Sequence, residues 1–132
     1  MAQMSYPTME LPIQLALTYP QRLDCALKPL DFEALAALHF KPLKREAFPC
    51  YDLALSAAEA GDNYPCALNG SGEVAVHAFL REEIPFLAIP KSIEYALEKT
   101  QREWVADYSA LVQTDGAARA YAHEYIAKNY GK

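Results

Sequence analysis

Long apolar runs and clustered cysteines are both missing from this chain of 132 residues. No apolar run approaches the roughly 20 residues that span a bilayer, and the N-terminus lacks the basic flank and continuous apolar core of a signal peptide. The three cysteines, Cys25, Cys50 and Cys66, are too few and too scattered for a disulfide framework or a structural zinc site. The composition therefore predicts reduced thiols in a cytoplasmic protein with no membrane partner.

Positive charge is also scarce, since 12 lysines and arginines stand against 17 aspartates and glutamates, for a formal net charge of −5. This balance argues against a nucleic-acid partner, because binding to a phosphate backbone requires a basic surface. The 52 % hydrophobic and 22 % charged residues are typical of a globular chain. At about 150 residues per domain, the length predicts one domain of modest size.

Pairs of tyrosine and proline mark predicted element boundaries, because a residue before proline avoids the helical region. They are Tyr6-Pro7, Tyr19-Pro20 and Tyr64-Pro65. A short helix is predicted between the first two pairs, with Pro12 tolerated in its first turn. Asp31 is predicted to cap another short helix that reaches Leu38, and a short extended piece is predicted around Phe40.

Apolar residues at spacings of three and four predict four further helices. They run from Pro49 to a glycine cap at Gly61, from between Pro65 and Gly72 to Arg81, from near Ile89 onwards, and from Thr114 or Asp115 to Gly131. Residues 103–112 are predicted to be a connector or another short helix. Trp104 and Tyr108 stand four residues apart, and we favour packing in the core over the alternative, a partner surface.

Residues 70–75 (GSGEVA) fit the pattern G-x-G-x-x-G/A, which holds a pyrophosphate where a strand meets a helix N-terminus. The preceding strand is missing, because residues 64–68 are short and contain a proline. We therefore favour a loose helix start with close packing of small residues. A nucleotide site remains the alternative.

Other groups that carry chemistry are scattered along the chain. The histidines form no His-x-x-x-His pair; they are His39, His77 and His123. Cys50 lies on an apolar stripe and is predicted to be a buried, inert thiol. The acidic pairs are predicted to face solvent; they are Glu82-Glu83 and Glu94/Glu98, the second offset by Lys91 and Lys99.

Five blocks of the sequence resemble 1-deoxy-D-xylulose 5-phosphate reductoisomerases. They occur in the family's order and at similar spacing, whereas any one of them alone would be weak. They are residues 2–14 (AQMSYPTMELPIQ), 16–22 (ALTYPQR), 29–32 (PLDF), 48–54 (FPCYDLA) and 67–80 (ALNGSGEVAVHAFL). The last block is similar to the family segment that contains Leu-Asn-Ala-Ala-Asn-Glu, and a weaker match continues into the final helix.

This resemblance implies a parent enzyme of the non-mevalonate isoprenoid pathway. Such an enzyme converts 1-deoxy-D-xylulose 5-phosphate to 2-C-methyl-D-erythritol 4-phosphate with NADPH and a divalent metal, Mg or Mn. It implies that the dinucleotide-binding and catalytic domains lie upstream, so that this chain holds no catalytic, cofactor-binding or metal-binding residue. The parent is expected to be a homodimer.

The resemblance also implies the fold and its division. The chain is expected to be mainly α, with residues 1–22 forming the end of a catalytic-domain strand and a linker helix. Residues 23–132 are expected to form a C-terminal helical bundle. Two departures from the family stand out: Gly70-Ser71-Gly72 replaces Ala-Ala-Asn, which predicts a looser helix start, and Thr8 replaces a frequent aspartate.

One segment is expected near the active site. In the family, a Pro-x-Met segment after the last catalytic strand lies near the nicotinamide and the substrate, and Pro7 and Met9 match it. A thioether can pack against a planar ring without a fixed geometry. The alternative is that both residues only form the turn between strand and helix.

The leading hypothesis is a C-terminal, structurally supporting portion of a reductoisomerase that is inactive alone. The second is a free-standing helical module that binds a partner protein through an apolar face once covered by the catalytic domain. A third, a nucleotide-binding protein that uses residues 70–75, requires a strand before Gly70.

Overall fold

A computed structural model of the chain describes residues 5–24, 27–35, 37, 39 and 41–131. Two compact units divide the chain, Met1–Pro42 and Leu43–Lys132. Within the described residues every regular element is helical and no strand occurs, which confirms the mainly α fold. The end of a catalytic-domain strand was expected within residues 1–22, of which residues 1–4 lie outside the described ranges, and residues 5–22 contain no strand. The domain boundary after residue 22 stays a prediction.

The first unit contains α1, Glu10–Thr18. Its polar side chains form hydrogen bonds with the loop that follows. Gln14 Nε2 donates to the Asp24 carbonyl at 3.0 Å. Thr18 Oγ1 lies within hydrogen-bond distance of the Gln14 and Gln21 carbonyls, at 3.0 and 2.9 Å. The helix ends directly before Tyr19-Pro20, as predicted.

The first unit also contains α2, a single turn at Phe32–Leu35. The predicted cap is confirmed, since Asp31 Oδ1 accepts hydrogen bonds from the backbone N–H groups of Glu33 at 3.0 Å and Ala34 at 3.1 Å. The predicted continuation to Leu38 and the extended piece at Phe40 concern residues outside the described ranges.

The second unit is a bundle of four helices, preceded by a 3-10 turn at Arg45–Ala47. The helices are α3 (Pro49–Ala60), α4 (Tyr64–Leu80), α5 (Ala88–Lys99) and α6 (Tyr108–Tyr130). The central helix is α4, which packs against each of the other three, and α5 packs against α6 and α3. None of the helices in the described ranges is both long enough and apolar enough to cross a lipid bilayer.

Small side chains line the contacts within this bundle. Among the described residues, seven alanines on α4, α5 and α6 are at most 1 % exposed: Ala67, Ala75, Ala78, Ala88, Ala96, Ala118 and Ala122. Larger buried side chains fill the remaining core, namely Ile84, Ile89, Ile93 and Leu97. Because a methyl group occupies little space, alanine at these positions allows the helix axes to approach closely.

Two of the predicted helix starts are confirmed and two are wrong. α3 begins at Pro49, as predicted, and its cap is Gly61, whose φ of +68° is the left-handed conformation that favours glycine. α5 begins one residue before Ile89. α4 begins earlier than predicted, at Tyr64, because the second helical position tolerates proline. α6 begins at Tyr108, well before Thr114 and Asp115.

The early start of α6 has a local cause. Asp107 is its N-cap, and Asp107 Oδ1 accepts a hydrogen bond from the Ala110 N–H at 2.9 Å. Residues 108–112 of the predicted connector therefore belong to α6. Gly116 lies inside the helix at an exposed position, where a glycine is tolerated.

Candidate functional site

Pro7 and Met9 lie at the start of α1, and both are exposed. Met9 occupies the N-cap position, and its carbonyl accepts a hydrogen bond from the Ile13 N–H at 3.1 Å. The hydroxyl of Thr8 accepts a hydrogen bond from the Glu10 N–H at 3.2 Å, so the residue that replaces the family's aspartate helps to fix the helix start. The Met9 thioether is thus presented to solvent from a hydrogen-bonded turn.

Two cavities flank this end of α1 within the first unit. One of about 380 Å³ lies beside Pro12, Leu15 and Arg22, and another of about 650 Å³ lies beside Tyr6, Leu27 and Leu30. Both are bordered by the same three residues: Ser5, Thr8 and Leu11. The N-terminal end of α1 therefore has open, mostly apolar space on two sides.

The glycine-rich segment 70–75 lies in the middle of α4, not at a helix start. The prediction of a loose helix start is wrong, because α4 is regular from Tyr64 onwards. Ser71 is buried and its hydroxyl lies 2.7 Å from the Ala67 carbonyl, one turn earlier. Inside a helix the backbone N–H groups bond to the preceding turn, so this segment offers no cradle for a phosphate.

The segment does have a packing role, which the sequence pattern did not reveal. Gly70 faces Asp115 of α6, and Arg119 joins the two helices. Its Nε donates to Asp115 Oδ2 at 2.6 Å, and its Nη2 donates to Glu73 Oε2 at 3.1 Å. The hydrogen bonds that Arg119 donates, to Asp115 first and to Glu73 second, raise the pKa of its guanidinium group.

The two cysteines in the described ranges, Cys50 and Cys66, show no sign of nucleophilic activation. Cys50 is exposed, so the prediction that it is buried is wrong. It sits at the second position of α3, where the first turn turns it outward. Partial desolvation raises its pKa, and burial likewise raises the pKa of the half-buried Cys66. Cys25 lies outside the described residues.

The residues that could bind metal do not converge. In the described part of the chain, no group of three or more His, Cys, Asp or Glu side chains could hold a metal ion. His77 is exposed, and its Nδ1 lies 2.9 Å from the Glu73 carbonyl. Glu83 pairs with Arg81 through Nε at 2.7 Å, which lowers the pKa of Glu83.

Lys99 has a different partner from the one predicted. It was expected to offset Glu94 and Glu98 of its own helix, but its Nζ lies 2.8 Å from both carboxylate oxygens of Glu124 on α6. Glu94 and Glu98 are exposed, as expected. Tyr95 also donates to Glu124, with its hydroxyl 2.7 Å from Oε1. This ion pair fastens α5 to α6.

The aromatic pair Trp104 and Tyr108 does not pack in the core. The two residues are 80 % and 81 % exposed, so the expectation of core packing is wrong. Trp104 lies in the connector before α6 and Tyr108 in its first turn.

The fold defines a small all-α domain, a helical bundle preceded by a short helical segment. The family described as the DXP reductoisomerase C-terminal domain matches residues 4–121. The chain belongs to this family, as the five sequence blocks predicted.

Full-length relatives extend the comparison. The 1-deoxy-D-xylulose 5-phosphate reductoisomerase of Nitrosomonas europaea is 42 % identical over 129 residues, which make up 98 % of this chain and 31 % of that protein. The enzyme of Geobacillus kaustophilus is also 42 % identical, over 96 % of this chain and 34 % of its own length. The chain therefore spans about a third of the length of the curated relatives it matches.

Solved structures agree with this placement. The reductoisomerase of Zymomonas mobilis in complex with NADPH superposes with a TM-score of 0.81 at 31 % identity, over 96 % of this chain and 33 % of that one. A reductoisomerase in complex with magnesium superposes with a TM-score of 0.79, also at 31 % identity, over 98 % of this chain and 35 % of that one. Both relatives thus contain this domain within a chain about three times as long.

Proposed function

We propose that this chain is the C-terminal supporting portion of a reductoisomerase. The parent would convert 1-deoxy-D-xylulose 5-phosphate to 2-C-methyl-D-erythritol 4-phosphate with NADPH and a divalent metal. The observation that carries the proposal is the family match over residues 4–121, together with the coverage of only 31–34 % of the relatives' length in the first three comparisons. The parent is further proposed to be a cytoplasmic homodimer.

Within the parent, Met9 is the residue of this chain that we place beside the nicotinamide, with Pro7 shaping the turn before it. The fit rests on the exposed thioether at a hydrogen-bonded helix start, since a thioether packs well against a planar ring. The nicotinamide supplies hydride when the cofactor is bound. Met9 would hold the ring face and exclude water from it.

The isolated chain is proposed to be inactive and to bind neither NADPH nor metal. Support comes from the glycine-rich segment, which lies inside a helix, and from the scattered acids and histidines of the described residues. In the parent, the four-helix unit would serve as a rigid support for the upstream domains.

A chimera tests this proposal. The upstream two thirds of the Nitrosomonas europaea enzyme would be joined in register to this chain, and NADPH oxidation followed with substrate and Mg²⁺. We expect turnover by the chimera and none by this chain alone or by the upstream part alone. A folded chimera without turnover would argue against the catalytic assignment, and turnover by the purified 132-residue chain would refute the inactivity of the fragment.

A second candidate is a free-standing module that binds a partner protein. It is favoured by one observation, an exposed apolar stripe formed by Phe48, the N-cap residue of α3, and by Tyr51 and Leu55 of that helix. Their spacing places them on one face of the helix, opposite the buried Ala57. A chain that stays monomeric at high concentration and binds no hydrophobic dye would count against this module.

A further inference from the structure

A cavity with mostly polar walls lies in the second unit, where the segment that links α5 to α6 passes the first half of α6. It is called here the α6 cavity. Its volume of about 260 Å³ corresponds to about nine water molecules at about 30 Å³ each, which is the size of a monosaccharide rather than of a nucleotide. The linking segment forms one wall through Thr100, Gln101 and Glu103, and α6 forms the other through Gln113, Thr114 and Tyr121.

The wall formed by the linking segment is held in place from the start of α4. Asn63 Nδ2 donates to the Gln101 carbonyl at 2.9 Å, and Asn63 Oδ1 accepts from the Glu103 N–H at 3.1 Å. The Tyr64 hydroxyl donates to the Thr100 carbonyl at 3.3 Å. Because three successive contacts fix this backbone, the cavity is already formed in the free protein, and a ligand would not have to order it.

Several polar groups of the α6 cavity are available to a ligand. In the part of the chain that the structure describes, the side chains of Glu103, Gln113 and Thr114 form no hydrogen bond or ion pair, and the Tyr121 hydroxyl forms none either. A carboxylate accepts hydrogen bonds, whereas an amide and a hydroxyl both donate and accept. This set therefore suits a ligand with several hydroxyl groups, each of which can also donate and accept.

The charges around the cavity argue against an ionic ligand. Lys99 also lines the cavity, but its Nζ lies 2.8 Å from both carboxylate oxygens of Glu124, which neutralise it. An anion would therefore meet no unpaired cation there, and the free carboxylate of Glu103 would repel it. The aromatic face that a cation would prefer is already taken, since Lys99 Nζ lies 5.5 Å from the centroid of the Tyr121 ring. These charges favour a neutral ligand.

An exposed aromatic side chain adjoins the cavity wall. Trp104 directly follows Glu103 and is 80 % exposed, although tryptophan is highly buried on average. Its flat apolar ring matches the C–H face of a sugar, and its N–H donates to a hydroxyl. We propose that the α6 cavity binds a neutral sugar or polyol of monosaccharide size, with Trp104 covering the C–H face. This ligand goes beyond the proposed function, which assigns none to the second unit.

Tryptophan fluorescence tests the proposal directly, because Trp104 is the only tryptophan of the chain. The purified chain is titrated with D-glucose, D-ribose and xylitol, and with choline chloride and sodium phosphate as charged probes. We expect a saturable blue shift of the emission with at least one neutral probe, since a bound sugar removes water from the indole ring. Choline and phosphate should cause no saturable change, and ethylene glycol controls for the effect of solvent.

Variants of α6 test whether the cavity provides the site. Gln113→Ala should weaken the affinity for the neutral probe about tenfold, because an amide that bonds to the ligand is removed. Asn129→Ala removes a similar amide near the C-terminal end of the same helix and should leave the titration unchanged. Both positions are exposed, so both variants should keep the circular dichroism spectrum of the wild type.

Three outcomes would overturn the proposal. Titrations that do not saturate with any neutral probe would show that the cavity binds no sugar or polyol. A saturable response to choline or phosphate instead would show that the ligand class is wrong. Equal effects of Gln113→Ala and Asn129→Ala would show that the probe meets Trp104 outside the cavity. Turnover by the chimera does not enter this test, so the proposed function stands or falls separately.

Discussion

Gly70 of α4 lies directly against Asp115 of α6. A Cβ atom at position 70 would lie 2.6 Å from Asp115 Oδ1 and 3.2 Å from the Asp115 carbonyl oxygen. The carboxylate is held there by Arg119, whose Nε lies 2.6 Å from Oδ2. The glycine that resembled part of a phosphate loop is thus the residue that lets the Asp115–Arg119 ion pair of α6 lie against α4.

Replacing Gly70 with alanine should destabilise the bundle by about 1–3 kcal/mol, because the added methyl displaces the carboxylate and crowds the α6 backbone. Gly116→Ala is the control, since nothing lies within 4 Å of a Cβ there. That variant should be more stable by roughly 0.5–1 kcal/mol, the usual gain for a helix interior. Urea unfolding measures both changes, and a stabilised Gly70→Ala variant would contradict the packing explanation.

Local patterns predicted the helices better than they predicted their contacts. Spacing located α3 and α5, and a single acid located the cap of α2, because those signals lie within one or two helical turns. The role of Gly70 depends on Asp115, 45 positions later, which no local pattern reports. The start of α6 was predicted too late for a related reason. Thr114 and Asp115 were interpreted as N-cap candidates although they lie inside the helix, whereas the N-cap is Asp107.

The exposure of side chains that were expected to be buried could not be predicted, for a different reason. Periodicity shows that a side chain belongs to an apolar face, but it does not show which protein surface covers that face. Cys50 and Trp104 were both expected to be buried, yet both are exposed in this chain. The prediction that Met9 lies near the active site came from the resemblance of this chain to the reductoisomerase family. Periodicity alone places Met9 only at the start of a helix.

Asn63 connects the start of α4 to the segment that links α5 and α6. It is 3 % exposed, its Nδ2 donates to the Gln101 carbonyl at 2.9 Å, and its Oδ1 accepts from the Glu103 N–H at 3.1 Å. Asn63→Ala should lower the free energy of unfolding by about 1–3 kcal/mol, because two part-buried hydrogen bonds to the backbone of the linking segment are lost.

The control for this variant is Asn129→Ala, which removes an exposed hydrogen bond to the Tyr125 carbonyl within α6. Its effect on urea unfolding should stay within about 0.5 kcal/mol. Asn63→Asp removes the donor while retaining the acceptor, and should lie between wild type and Asn63→Ala. Equal effects of Asn63→Ala and Asn129→Ala would show that the linking segment is not held by Asn63.

Glu124 should make stability depend on pH in the acid range. Hydrogen bonds from Lys99 first and Tyr95 second lower its pKa in the folded state. A lowered pKa contributes stability above the unfolded-state pKa, which is about 4.3, and that contribution is lost as the pH falls through the folded-state value.

Glu124→Gln should therefore be less stable than wild type at pH 7, and the difference should shrink as the pH falls below about 4. Urea midpoints measured across this range provide the test. Glu98→Gln, on the exposed outer face of α5, is the control and should alter stability little at any pH. A difference that stays constant down to pH 2 would rule out the ion pair as its source.

Ala118 tests the close approach of α4 and α6. It is fully buried in the core cluster, together with Ala67 and Ala75 of α4. Ala118→Leu should destabilise the bundle by about 1–3 kcal/mol or more, since added methylene groups in a tightly packed contact force the helices apart. Ala120→Leu, on the exposed side of the same helix, should change stability by less than about 0.5 kcal/mol. Because both variants add the same side chain to α6, any difference in helix propensity cancels, and equal unfolding midpoints would show that the two helices leave room for a larger side chain at position 118.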